Sequence, residues 1–177
     1  MLFPIWAALH PFPGFIASIC QLRPESRGFV HIKSADPAQA PAIQPRYLTS
    51  QLDRDTVIAS LKLLRRIMGQ DAMRRYIAEE RAPGPLIQSD EELLDFARGA
   101  GTTVFHPTST CRMGPDDTAV VDERLRVRGL GGLRVVDASI MPTVVSGNTN
   151  APVVMIAEKG ADMILQDAAA AAAPKAA

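Results

Sequence analysis

One histidine, two asparagines and one aspartate in the C-terminal part of the chain are the residues best placed to do chemistry. His106 precedes Pro107 and stands among Thr102, Thr103, Thr108, Ser109 and Thr110. Small hydroxyl side chains orient an imidazole by hydrogen bonding, and a neutral imidazole is a good general base. A lone histidine is more often a surface or satisfied core residue, and that reading stands beside the first. Ser146-Gly147-Asn148-Thr149-Asn150 follows, and Pro152 opens an apolar helix just after it. Asn148 and Asn150 can hydrogen-bond a substrate oxygen or a cofactor ring. The free N–H groups and positive dipole end of the helix favour negative charge nearby, which makes an anion or oxyanion site. The plainer alternative is turn chemistry, which also selects Asn and Gly. Asp137, with Ala138 and Ser139, ends the β-forming run Leu133–Val136. Ligand groups gather at the carboxyl ends of strands in open α/β sheets, yet an Asp that caps the turn fits the pattern equally.

These residues need elements to hold them. The spacing predicts a strand from Gly14 to Cys20 and another over Phe29–Ile32, joined as a hairpin through the turn cluster Arg23–Gly28. Ile43–Tyr47 reads as an extended piece, at an edge because of Pro45. Val57, Leu61, Leu64 and Met68 share one face of a helix capped by Asp53 and ended by Gly69. A short helix is expected over Asp71–Ile77. Ser89-Asp90-Glu91-Glu92 is a capping-box pattern before Leu93, and Gly99 should close that helix. Helical period then gives way to short β pieces at Val120-Val121, Leu125–Val127 and Leu133–Val136. The last helix should run from Pro152 to about Leu165. The fold class is α+β, with helices on a mixed or antiparallel sheet and a boundary near residue 100.

With 177 residues the chain can bury a real core in one domain or two small lobes. Lys plus Arg equals Asp plus Glu at 19 each, so no net field draws the chain to nucleic acid or an anionic membrane. Lys62, Arg65, Arg66, Arg74 and Arg75 make one region basic, but Asp53, Asp71, Glu79 and Glu80 balance it as a solvated face. Cys20 and Cys111 read as reduced thiols rather than a disulfide framework or zinc ligands. No metal motif, P-loop, nucleophile elbow or GxGxxG is present, and His10 and His31 read as structural. The apolar start fails as a signal peptide and as a membrane span, because Pro4, Pro11 and Pro13 interrupt it. It reads as the interior of a larger chain, with an apolar face meant for a neighbour. A cytoplasmic location is expected, with peripheral membrane association as the alternative. The stretch 167–177 reads as a frayed, disordered, alanine-rich tail.

Taken in order, His106-Pro107, Thr110–Gly114, Leu133–Pro142 and Ser146–Pro152 resemble the C-terminal part of the glucose–methanol–choline (GMC) oxidoreductases, on the choline and alcohol dehydrogenase branch. The stretch from Cys20 to Tyr47, with LRPESRG and SADP, resembles that branch as well, so the similarity spans about residues 8 to 165.

The resemblance implies an FAD enzyme that oxidises an alcohol to its aldehyde by hydride transfer. By motif, His106 would be the base and Asn148 would hydrogen-bond the substrate oxygen. Asp137 and Ala138 would meet the FAD chain, and Thr149 and Asn150 would lie near the isoalloxazine. Residues 1–100 would end a substrate-binding domain, and residues 101–166 would return to complete the FAD-binding domain. Ser109 stands where the family often has Gly. The family's N-terminal Rossmann half, with its Gly-rich motif and acidic ribose partner, has no counterpart here. The chain would then supply half a flavin site, need an N-terminal FAD-binding half as partner, and bind FAD weakly by itself. Two other classes remain: a non-catalytic remnant kept as a binding module, and nucleic-acid binding through helix 53–68. A buried apolar start would favour the remnant, and an exposed one around Phe3, Trp6 and Phe12 the enzyme.

Overall fold

The computed structural model describes residues 11–172. Phe3, Trp6 and His10 therefore lie outside the described residues. Two strands, β1 (Phe29–His31) and β2 (Ala42–Gln44), pair antiparallel with Val30 opposite Ile43. The expected hairpin of residues 14–20 with β1 does not form. Residues 14–20 take no ladder partner and form no strand, and Ile16 is 85% exposed. An apolar strand needs a neighbouring edge for its backbone groups; β1 pairs with β2 on one edge, and its other edge takes no strand among the described residues. Gly28 makes this pairing fit, because a Cβ there would stand 2.1 Å from the Gln44 carbonyl oxygen.

Helix α1 (Gln51–Met68) is the periodic stretch read from the sequence, but Asp53 does not cap it. Ser50 occupies the N-cap, and Asp53 lies inside the first turn at 3% exposure. Its carboxylate reaches back to the preceding loop and accepts the Glu25 N–H at 2.9 Å and the Ser26 N–H at 2.8 Å. Ser26 Oγ in turn accepts the N–H groups of Thr49 and Ser50. The turn cluster is thereby clasped to the start of α1. Helix α2 (Asp71–Arg74) is one turn, shorter than expected. Helix α3 (Asp90–Ala100) carries the full capping box, with Ser89 and Glu92 exchanging hydrogen bonds. Its C-cap is Gly101; Gly99 stays helical. Part of the basic face of α1 is paired locally: Lys62 pairs with Asp90, and Arg65 holds Glu80 and the carbonyls of Gly84 and Ile87.

Beyond Gly101 the β pieces appear only as single bridges, Met113 with Val121, Val121 with Val127, and Arg126 with Arg134. They wrap a core of Val121, Leu125, Ile140, Met141 and Ile156. Helix α4 (Asn150–Ala172) closes this core. It begins two residues before Pro152 and runs past Leu165. Alanine is the best helix former, and Asp167, expected in a frayed tail, is instead held by Arg124 and Arg134. No helix among the described residues is long and apolar enough to cross a membrane.

Candidate active site

The site is assembled from three short segments. The first is the turn that carries His106. Phe105 and Ser109 have φ of 61° and 74°, so left-handed residues bracket the histidine on both sides. Such conformations are costly for residues other than Gly, and a bulky Phe there is a genuine outlier. Ser109 takes a backbone conformation that Gly adopts freely. Its hydroxyl donates to the Pro142 carbonyl at 3.2 Å and meets the Thr108 hydroxyl at 3.1 Å.

The second segment is the turn after Val136. Asp137 does what the plainer reading expected: its Oδ1 accepts the Ser139 N–H at 2.7 Å and caps a 3-10 turn over Ala138–Ile140. The His106 segment docks on this turn through Cys111 N–H to the Ser139 carbonyl at 3.0 Å and Met113 N–H to the Ile140 carbonyl at 2.8 Å. Ala138 packs half-buried against the core, while the Asp137 side chain stays exposed.

The third segment is the amide loop and the start of α4. Asn148 and Asn150 are exposed, and among the described residues their amides make no hydrogen bond. Thr149 between them is 8% exposed. Its Oγ1 lies 2.9 Å from His106 Nδ1. The structure thus joins His106 to the loop directly, but through Thr149 rather than Asn148. His106 is half-buried, and its Nε2 has no hydrogen-bond partner among the described residues.

Sequence reasoning missed two supports. Arg23 Nε donates to Ser146 Oγ at 2.8 Å across 123 residues, tying the LRPESRG loop to the amide loop. Asp53 anchors that same LRPESRG loop at Glu25 and Ser26. Neither contact leaves a periodic or short-range signal. Arg112 forms a two-point pair with Asp116, whose carboxyl is held far below the usual range by that guanidinium and by Thr118.

The donor set suits a flavin. The N-terminus of a 23-residue helix, two exposed amide side chains and a half-buried imidazole come together in this loop region, and a helix N-terminus stabilises negative charge such as that of a reduced ring. Among the described residues, no group of three or more His, Cys, Asp or Glu side chains is placed to hold a metal.

The comparisons agree with the motifs. The family model described as GMC oxidoreductase matches residues 24–157. An "Alcohol dehydrogenase [acceptor]" of Pseudomonas putida is 47% identical over 153 residues, covering 86% of this chain and 28% of that protein. An "Oxygen-dependent choline dehydrogenase" of Serratia proteamaculans is 48% identical over 153 residues, with the same coverage of 86% and 28%. Among solved structures, a pyridoxine 4-oxidase of Mesorbium loti superposes with a TM-score of 0.76 at 38% identity over 82% of this chain and 28% of that one. A fungal aryl-alcohol oxidase gives 0.73 at 35% identity, over 82% and 24%. The chain spans under a third of the length of the curated relatives it matches. With a family model over most of its length and solved relatives of the same α+β arrangement, the chain belongs to the GMC oxidoreductases.

Proposed function

We propose that this chain forms part of an FAD-dependent enzyme that oxidises an alcohol to its aldehyde. The observation that carries the reading is the His106 imidazole, held at Nδ1 by a buried threonine and open at Nε2 beside a helix N-terminus. In this reading Nε2 takes the hydroxyl proton of the alcohol. That makes departure of the carbon-bound hydrogen easier, because an alkoxide expels hydride more readily than an alcohol. Asn148 donates its amide hydrogen to the substrate oxygen and fixes the alcohol against His106. FAD, when bound, supplies the acceptor for the hydride. Asp137, Ala138, Thr149 and Asn150 would hold the cofactor, and the dipole of α4 would favour negative charge there. Residues 1–100 complete a substrate-binding domain, and residues 101–166 complete the FAD-binding domain. The names of the relatives, an alcohol dehydrogenase and a choline dehydrogenase, support an alcohol substrate, choline-like or another primary alcohol in this reading.

The reading requires the portion of the relatives that this chain does not span, since the dinucleotide fingerprint is not among these residues. Of the apolar start that separates a truncated enzyme from a remnant, Phe3 and Trp6 lie outside the described residues and Phe12 is half-buried; the exposed apolar side chains Phe15, Ile16, Ile32 and Ile43 support a chain that packs against further protein. The test supplies the N-terminal portion of a related alcohol dehydrogenase, FAD and an artificial electron acceptor. His106→Ala should lower kcat/KM by about 10²-fold or more, the contribution of a positioned base. Undiminished alcohol oxidation in that variant removes His106 from the role.

A further inference from the structure

The hydroxyl of Thr149 is buried, and the loop around it is not. Asn148 and Asn150 face solvent on either side, yet Thr149 is 8% exposed and its Oγ1 meets one ring nitrogen of His106 at 2.9 Å. Thr149 is also the residue just before α4, where a threonine ordinarily turns its hydroxyl to the N–H of the second or third helical residue. Here the third helical residue is Pro152, which has no N–H. The backbone carbonyl of Thr149 still accepts the Val153 N–H at 3.0 Å, so the helix starts normally while the hydroxyl is turned to the imidazole.

A neutral imidazole carries one ring hydrogen. If it sits on Nε2, that nitrogen cannot accept a proton from an alcohol; if it sits on Nδ1, Nε2 is the base. The partner of Nδ1 therefore decides whether the ring can do the chemistry. We infer that Thr149 is the positioning residue of His106: its Oγ1 accepts the Nδ1 hydrogen, fixes the ring plane, and leaves the lone pair on Nε2. This rests on His106 acting as the base. It gives Thr149 a role toward the histidine, where the family resemblance implied one toward the isoalloxazine. The two are compatible, since only one hydroxyl lone pair is needed here.

The fold supplies the rigidity that such a role needs. Thr149, Val153, Ile156, Gly160 and Met163 lie along one face of α4, and that face packs on the core beneath the site. The His106 turn is fixed independently by Cys111 and Met113 on the 3-10 turn. The Thr149–His106 contact closes two separately anchored segments across 43 residues.

The test uses the full 177-residue chain with its histidine rings labelled with nitrogen-15. The wild-type His106 signals should report the Nδ1-protonated tautomer. Thr149→Val keeps the shape and removes the hydroxyl; it should shift His106 toward the Nε2-protonated form that free imidazole prefers. Thr149→Ser should restore the wild-type signals. An Nε2-protonated ring in the wild type, or a His106 spectrum unchanged by Thr149→Val, overturns the inference. In the complemented, flavin-loaded enzyme, Thr149→Val should lower kcat about tenfold, a fraction of what a positioned base supplies, with KM little changed. Recovery in Thr149→Ser to within about twofold is expected, because the hydroxyl and not the methyl is required. A kcat loss in Thr149→Val with unchanged tautomer would place Thr149 on the cofactor only. Failure of His106→Ala to impair oxidation would instead remove the base assignment on which the inference rests, so the two outcomes are separable.

Discussion

Replacing Asp53 by alanine should loosen the clasp between the LRPESRG loop and α1. The carboxylate is 3% exposed and accepts the Glu25 N–H at 2.9 Å and the Ser26 N–H at 2.8 Å, with Gln21 Nε2 at 3.5 Å. Hydrogen bonds to a charged acceptor are each worth about 1.5–3 kcal/mol, and an orphaned buried donor costs about 1–3 kcal/mol. Glu25 lies at the surface, so water can replace part of one bond there; Ser26 is half-buried and loses more. The expected loss for Asp53→Ala is therefore about 3 kcal/mol, and for Asp53→Asn, which keeps one acceptor oxygen, about 1–2 kcal/mol. Urea unfolding followed by circular dichroism reads both. Acid gives a second check. Burial alone would raise the Asp53 carboxyl, but hydrogen bonds from Ser26, Glu25 and Gln21 outweigh it and hold it below its ordinary value. A depressed folded-state value means stability that is present above the unfolded Asp value of about 3.9 and is lost as pH falls through the folded one. The stability gap between wild type and Asp53→Asn should thus be widest near neutral pH and shrink as pH drops below about 4. A gap that is constant from neutral pH to about pH 3, or an Asp53→Ala variant within about 0.5 kcal/mol of wild type, would refute the clasp.

Two further changes test the core and the strained turn. A Cβ on Gly160 would stand 2.6 Å from Val136 Cγ1. Val136 is β-branched and stiff, so Gly160→Ala should lose about 1–3 kcal/mol despite roughly 1 kcal/mol of better helix propensity. Adding Val136→Ala should recover part of it, giving a coupling in a thermal double-mutant cycle. At Ser109, with φ of 74°, Ser109→Ala keeps the strain and loses the bond to Pro142, so it should be the less stable change by about 1 kcal/mol. Ser109→Gly loses the bond but releases the strain, and should melt close to wild type.

What the sequence revealed and what it hid follow from range. The Ser89–Glu92 box is a contact three residues long, and α3 starts where its letters say. The one-sided run from Val57 to Met68 was equally readable, because helical period is a local property. The pairing of β1 was not. Apolar alternation at residues 14–20 announces an extended segment, but which edge it meets depends on residues far along the chain, and the strand that pairs with β1 is β2. Asp53 carries the N-cap letter in the right place, yet its donors lie 27 and 28 residues upstream, and tertiary contacts outvoted the cap. At the site, the three motifs pointed to segments that the structure brings into contact. They did not tell that Thr149, rather than either asparagine, meets the histidine.

That last contact follows from the helix beneath it. Thr149 at the start of α4 lies on the same face as Ile156 and Gly160, whose burial fixes the rotation of the helix about its axis. Given that rotation, residue 149 must turn inward, and residues 148 and 150, about 100° to either side, must turn out. The alternation of an inward hydroxyl between two outward amides is thus set by the core and not by the loop. It assigns the three polar residues to two directions: Thr149 turns to His106, and Asn148 and Asn150 turn to solvent. The core of Leu125, Ile140, Met141 and Ile156 and the geometry at His106 are consequently one mechanical unit. Gly160→Ala, eleven residues from Thr149, should therefore disturb the His106 ring signals as well as the melting temperature. A variant that melts lower while leaving those signals untouched would show that the loop, and not the helix, sets the direction of Thr149.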